Sequence, residues 1–184
     1  MANIPSGYVE GVEERNEAFF TALDSEDDLG MVIRAHIHVE HELREYILAA
    51  APQPAELKLS DYDYASTLKL AMALGLKPSV KAGLTSLGTL RNKFAHRLNM
   101  KLTEQEARQL YSTLSSEDKA DARKAWAATL LKRPDTGRPK DILKTTPKDL
   151  IAICILMLHS AVMVEHLNLR YASIANHNAR RGCS

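Results

Sequence analysis

The sequence predicts an all-α fold, an antiparallel bundle of about six to seven helices, and three observations lead there. Ala, Leu, Glu and Lys are abundant while aromatics make up only 5% of the chain, a composition that favours helices over strands. Apolar residues recur at three- and four-residue spacing, and no strand-like alternation of useful length interrupts them. Helix start and stop signals divide that pattern into segments of ordinary helix length. At 184 residues and 45% hydrophobic, the chain has the size of one domain and enough apolar surface to fill its core. That domain is expected over 1–175, followed by a flexible basic tail over 176–184.

A first helix is expected from about Gly7 to Leu23. Ser25 is the candidate N-cap of a second, with Glu26, Asp27 and Asp28 opposing the positive helix end. Leu29, Ile33, Ile37, Glu40, Leu43 and Ile47 keep helical spacing to about Ala50, where Pro52 and Pro54 stop the run. A third helix begins near Ser60 and Asp61 and ends at Gly75, which suits the left-handed position after a helix. Pro78 suits the first position of a fourth, whose stripe is Val80, Leu84, Leu87, Leu90 and Phe94. Thr103 and Glu106 form a capping box opening a fifth, and Ser115 or Ser116 caps a sixth that reaches about Leu131. Residues 133–145 hold Pro134, Gly137 and Pro139 among basic side chains and read as a loop. Thr146, Pro147 and Asp149 then start the last and longest helix, expected to end near Ala175.

The most apolar stretch, Ile151 to Val164, is interrupted by His159 and Ser160 and falls short of the roughly 20 residues that a membrane span needs. It is expected to be a buried helix at the centre of the bundle, and no membrane association is expected. No basic segment followed by an apolar run opens the chain, so no signal peptide is expected. Cys154 lies inside the apolar helix and Cys183 in the tail, so no disulfide, metal or cofactor is expected, and the expected compartment is the cytoplasm.

The formal net charge of +1 conceals an asymmetry: residues 1–61 carry four Lys/Arg against thirteen Asp/Glu, and residues 62–184 carry twenty against ten. Such polarity can steer an anionic ligand toward one face. It can equally be acidic and basic helices packing side by side and neutralising each other.

The segment with chemical potential is Arg91-Asn92-Lys93-Phe94-Ala95-His96. Phe94 continues the buried stripe and thereby fixes the rotation of its neighbours. Asn92 and His96 are four apart and share a face; Arg91 lies about 140° from His96 on an ideal helix. A permanent cation, an amide and an imidazole suit a phosphodiester: the guanidinium grips phosphate oxygens in a fork, and the imidazole titrates near neutrality. The structural alternative is that Arg91 pairs with an acid of the 25–50 helix and His96 caps a helix end.

Arg91-Asn92 followed by His96, on a helix of an all-helical domain this size, resembles the Arg-x(4–6)-His signature of the HEPN superfamily. Leu23 to Ala49, with its acidic start and long amphipathic run, resembles the mannitol-operon repressor branch of that superfamily. The resemblance implies metal-independent RNA cleavage in a cleft shared by two protomers. Arg91 would then bind the scissile phosphate, His96 would transfer protons and Asn92 would orient one of them. Lys93 and Arg97 would contact RNA, and Glu40 would support the arginine. An endoribonuclease of a toxin, defence or stress system is implied, with an antitoxin or regulatory protein as a further partner. Non-cleaving branches imply the other function, a transcriptional regulator acting through protein contacts. Cleavage by a neighbouring 2′-hydroxyl needs both a base and an acid. The motif holds one histidine, and two-fold symmetry would bring the second, so a homodimer is expected.

Other polar groups carry blander readings. His36, His38 and His41 with Glu40 and Glu42 offer pairs four apart but no third metal ligand at fixed spacing, and are expected on a solvated or interface helix. Glu40 is the exception: on the apolar stripe, it needs a polar partner, with Arg91 the cation of interest. Lys132, Arg133, Arg138, Lys140, Lys144 and Lys148 could touch a nucleic-acid backbone. They lack interleaved aromatics, however, and a solvated loop is the alternative. His159 and His166 are assigned polar roles in the core or at an interface.

Overall fold

A computed structural model describes residues 26–95, 101–132 and 137–181, with Phe19, Thr21 and Leu23 before them; beyond residue 172 it describes backbone alone. Among these residues there are six α-helices and no strand: α1 (Asp28–Ala50), α2 (Tyr64–Ala73), α3 (Lys81–Ala95), α4 (Glu104–Ser112), α5 (Ser116–Lys132) and α6 (Pro147–Arg181). Short 3-10 turns at Pro54–Glu56, Leu59–Asp61, Pro78–Val80 and Ile142–Lys144 join them. The fold is an all-α bundle, as composition and periodicity predict. Most of the expected first helix lies outside the described residues, but Phe19 and Leu23, one turn apart, are helical and buried.

The helix ends follow the capping chemistry with two adjustments. Asp27 caps α1, its carboxylate accepting from the Gly30 amide at 2.7 Å; Ser25 lies outside the described residues. Asp63 caps α2 by accepting from Ser66 N at 2.8 Å, so α2 starts later than Ser60 and Asp61 suggest, and those two residues close a 3-10 turn instead. Gly75 ends α2 at φ 102°, with Leu76 N bonded to Ala71 O and Gly75 N to Met72 O, a double C-terminal closure that only a left-handed residue permits. The Thr103–Glu106 capping box forms in full. The Ser115 hydroxyl accepts from Asp118 N at 3.0 Å, and that of Thr146 from Asp149 N at 3.1 Å.

Two expectations need correction. The stripe through Leu29, Ile33 and Ile37 is not the buried face of α1: Ile37 is 60% exposed, while Met31, Val32, Ala35, His36, Val39, Glu42, Leu43, Tyr46 and Ile47 are buried. Two stripes of the same period overlap in this segment. The wider one wins because α1 contacts α6, α2 and α3 together. The last helix also continues past Ala175 to Arg181, taking in most of the expected tail. Between Pro147 and Gly182 no glycine or proline interrupts helical hydrogen bonding.

The core is built on α6. Ile151, Ile153, Cys154 and Ile155 are fully buried, so the helix is enclosed on every side at that level. Its most extensive contacts are with α1, then α4, then α5. The segment Pro147–Ala172 is long and apolar enough to cross a membrane by composition (mean hydropathy 2.0 over an 18-residue window), yet 67% of that window is buried inside the bundle. Trp126 anchors α5, its indole N–H donating to Pro139 O at 3.0 Å.

Candidate functional site

The α3 stripe fixes what the motif can reach. Leu84, Leu87, Leu90 and Phe94 are buried, which turns Lys81, Thr85, Thr89, Arg91 and Asn92 outward. These outward residues form one wall of a cleft of about 730 Å³ between α1, α2 and α3. The opposite wall presents His36 and Glu40 from α1, with Tyr64, Leu68 and Lys69 from α2. That volume lies within the roughly 300–1,000 Å³ range of small-ligand sites.

Arg91 is exposed, and its Nη1 donates to Asn92 Oδ1 at 3.1 Å. Among the described residues it has no carboxylate partner, so the ion pair with the acidic helix is not what holds it. Glu40 does find a polar partner, but the partner is Arg44: Nη2 to Oε1 is 2.7 Å. Arg44 donates further to the carbonyls of Leu59 at 2.9 Å and Tyr62 at 3.3 Å. Glu40 and Arg91 therefore share the cleft without pairing. Lys93 points elsewhere, about 200° round the helix from Arg91, and pairs with Glu106 of α4 at 3.4 Å. His96 and Arg97 lie outside the described residues.

His36 is the residue whose place the sequence reading missed. It is only 4% exposed, not solvated, and yet it lines the cleft. Its Nδ1 is 3.7 Å from Glu40 Oε2, and its ring centroid is 4.3 Å from that of Tyr64. Burial lowers its pKa, Glu40 opposes that shift and the charge of Arg91 adds to it. The imidazole is thus held neutral near pH 7. Tyr64 is itself pinned, its hydroxyl donating to Leu84 O at 2.9 Å. Burial, with help from Glu40, lifts the phenol well above its ordinary range, so it stays a hydrogen-bond donor. Gly88 lets the ring approach: a Cβ there would lie 2.8 Å from Tyr64 Cε1. The i,i+4 spacing of His36 and Glu40 was the available signal. His36 also lies seven residues after Leu29 and four before Glu40, on the stripe expected to be apolar, yet it was grouped with His38 and His41 on a solvated or interface helix.

A second polar cluster sits inside the bundle. Glu42 of α1 faces two histidines of α6, with Oε2 at 3.3 Å from His166 Nδ1 and Oε1 at 4.0 Å from His159 Nε2. Phe19 stacks on His159 at 4.5 Å and meets His38 edge-on at 4.9 Å. Burial pushes the Glu42 carboxyl up, but the His166 hydrogen bond and the charges of His159, His166 and His41 outweigh it, and the net shift is downward. His159 and His166 thus occupy the polar core role expected of them, while His38 and His41 are exposed.

The basic segment is more structural than a solvated loop. Arg138 pairs with the buried Asp149 at 3.2 Å, and Lys148 donates to the Glu26 carbonyl, tying the start of α6 to that of α1. Lys140 and Lys144 are exposed, and Arg133 lies outside the described residues. Cys154 is a buried free thiol whose pKa burial raises far above the ordinary thiol range. Among the described residues no group of three or more His, Cys, Asp or Glu is placed to hold a metal ion. Comparison with protein-family models, curated proteins and solved structures gave no match.

Proposed function

We propose that this chain is a HEPN-like, RNA-acting protein: a metal-independent endoribonuclease of a toxin, defence or stress system, working as a cytoplasmic homodimer. The observation that carries the reading is an exposed guanidinium without a carboxylate partner among the described residues, set with Asn92 on the wall of a cleft large enough for a nucleotide. Arg34, Arg44 and Arg108 pair with acids and Arg123 donates to the Tyr111 hydroxyl, so each is tied to its own bundle surface rather than to a cleft. Arg91 instead keeps its fork available for phosphate oxygens.

The chemistry follows from that placement. Arg91 grips the non-bridging oxygens of the scissile phosphate and stabilises the charge that builds there as the neighbouring 2′-hydroxyl attacks. Asn92 holds the guanidinium at one edge and offers its amide to the substrate. His96, completing the motif, transfers a proton. The 2′-hydroxyl is the nucleophile, so RNA is cut and DNA is not.

The test is the product. Purified protein, free of any co-purifying partner, is incubated in EDTA with single-stranded RNA and with DNA of the same sequence. RNA fragments ending in 2′,3′-cyclic phosphate, with intact DNA, are the expected result. Equal loss of DNA, or fragments ending in a 3′-hydroxyl, contradicts it. Binding without cleavage moves the protein to the regulator class.

A further inference from the structure

We propose that His36 is the proton acceptor of this site, oriented by Glu40, so that one chain carries a base beside its own phosphate-binding arginine. The inference rests on the ribonuclease reading but changes its architecture: the acceptor need not come from a partner's copy of the motif. A homodimer then sets two clefts side by side without supplying the base.

The geometry is that of a held imidazole. Glu40 cannot swing freely, because Arg44 fixes Oε1 and is itself fixed by two backbone carbonyls of the segment before α2. Its other oxygen faces His36 Nδ1 at 3.7 Å. A carboxylate on that side favours the tautomer with the proton on Nδ1, leaving Nε2 with a lone pair. Tyr64 sets the ring plane from α2, and the Tyr64 hydroxyl is held by Leu84 O of α3. The charged or titratable groups facing His36 are therefore Glu40 from α1, Tyr64 from α2 and Arg91 from α3. An acceptor needs to be neutral at working pH, and the burial of His36 and the charge of Arg91 both keep it so.

The step balances with solvent as the second proton source. The 2′-hydroxyl proton passes to His36 Nε2 as the 2′-oxygen forms its bond to phosphorus. The bond from phosphorus to the 5′-oxygen breaks, and that oxygen takes a proton from water. Solvent then takes the proton from His36. A base beside the arginine that grips the phosphate is what the attacking hydroxyl needs.

Two variants and one profile test this. His36→Asn keeps a donor toward Glu40, and Glu40→Gln keeps the shape of the clamp; circular dichroism and thermal melting check that both fold. RNA cleavage is followed as kcat/KM from about pH 4.5 to pH 8, the span over which an imidazole titrates. Wild type should lose rate on the acid side as His36 protonates. His36→Asn should lower kcat/KM by roughly 100-fold or more and abolish that acid limb. Glu40→Gln should move the limb to lower pH, because the carboxylate raises the histidine pKa and its loss lets it fall. This second variant decides the matter if His36→Asn does not fold: an unmoved limb overturns the proposal. His36→Asn with wild-type rate and an unchanged limb also overturns it, and leaves the ribonuclease reading standing. Wild type that cuts no RNA overturns both.

Discussion

Arg91 carries the account at the scale of single residues, and its outward placement was legible because Phe94, three positions on, fixes the rotation of the helix around it. His36 was overlooked because it lies where the two stripes on α1 overlap, and its spacing alone does not reveal that it is buried beside Tyr64. Arg91→Lys should reduce cleavage on the order of 100-fold with the fold intact, since an ammonium cannot reproduce the two-pronged grip; initial rates on a defined RNA check it. Gly88→Ala should lower stability by about 1–3 kcal/mol, the usual cost of overpacking, because a Cβ would sit 2.8–2.9 Å from the Tyr64 ring. Urea unfolding measures this, and an unchanged midpoint would contradict the pinned ring. His36 also imposes a pH dependence on folding. Its folded pKa lies below 6.5, so the unfolded chain takes up the proton first. Stability should therefore fall as pH drops below about 6.5 and level off below the folded pKa. In His36→Asn that part of the decline should be missing from melts recorded across the range.

Most of the elements were legible because they are bounded by local chemistry: Gly75, Pro78, Thr103 with Glu106, Ser115 and Thr146 all act where the sequence places them. The misses are those that local chemistry does not decide. Asp63 outcompeted Ser60 and Asp61 for the start of α2, and the face of α1 was settled by three neighbouring helices. The α1–α6 contact holds the least anticipated feature, a carboxylate between two buried histidines. Removing one partner of a buried polar set leaves the others unsatisfied, so Glu42→Ala should destabilise by about 3 kcal/mol, read from the denaturant midpoint. The Glu42 carboxyl has a depressed folded pKa, so its contribution is present above the ordinary carboxylate range and lost as pH falls through the folded value. Acid unfolding of wild type should thus be steeper than that of Glu42→Gln.

At the scale of the whole molecule, the charge asymmetry is partly an internal matter: Lys148 and Arg138, from the basic half, are used in holding α6 in place. The cleft, by contrast, gathers Lys69, Lys81 and Arg91 around Glu40 and Asp63, and of these only Glu40 is held in an ion pair among the described residues. The proposed reading expects a dimer by light scattering at about tens of micromolar, the regime of weak association. Cleavage itself remains the decisive property. Wild type, Arg91→Ala and His96→Ala, each shown to be folded and free of bound partner, are incubated with total cellular RNA in EDTA. The account predicts that wild type alone degrades the RNA and leaves 2′,3′-cyclic phosphate ends. Equal degradation by all three proteins, or by none of them, would contradict it.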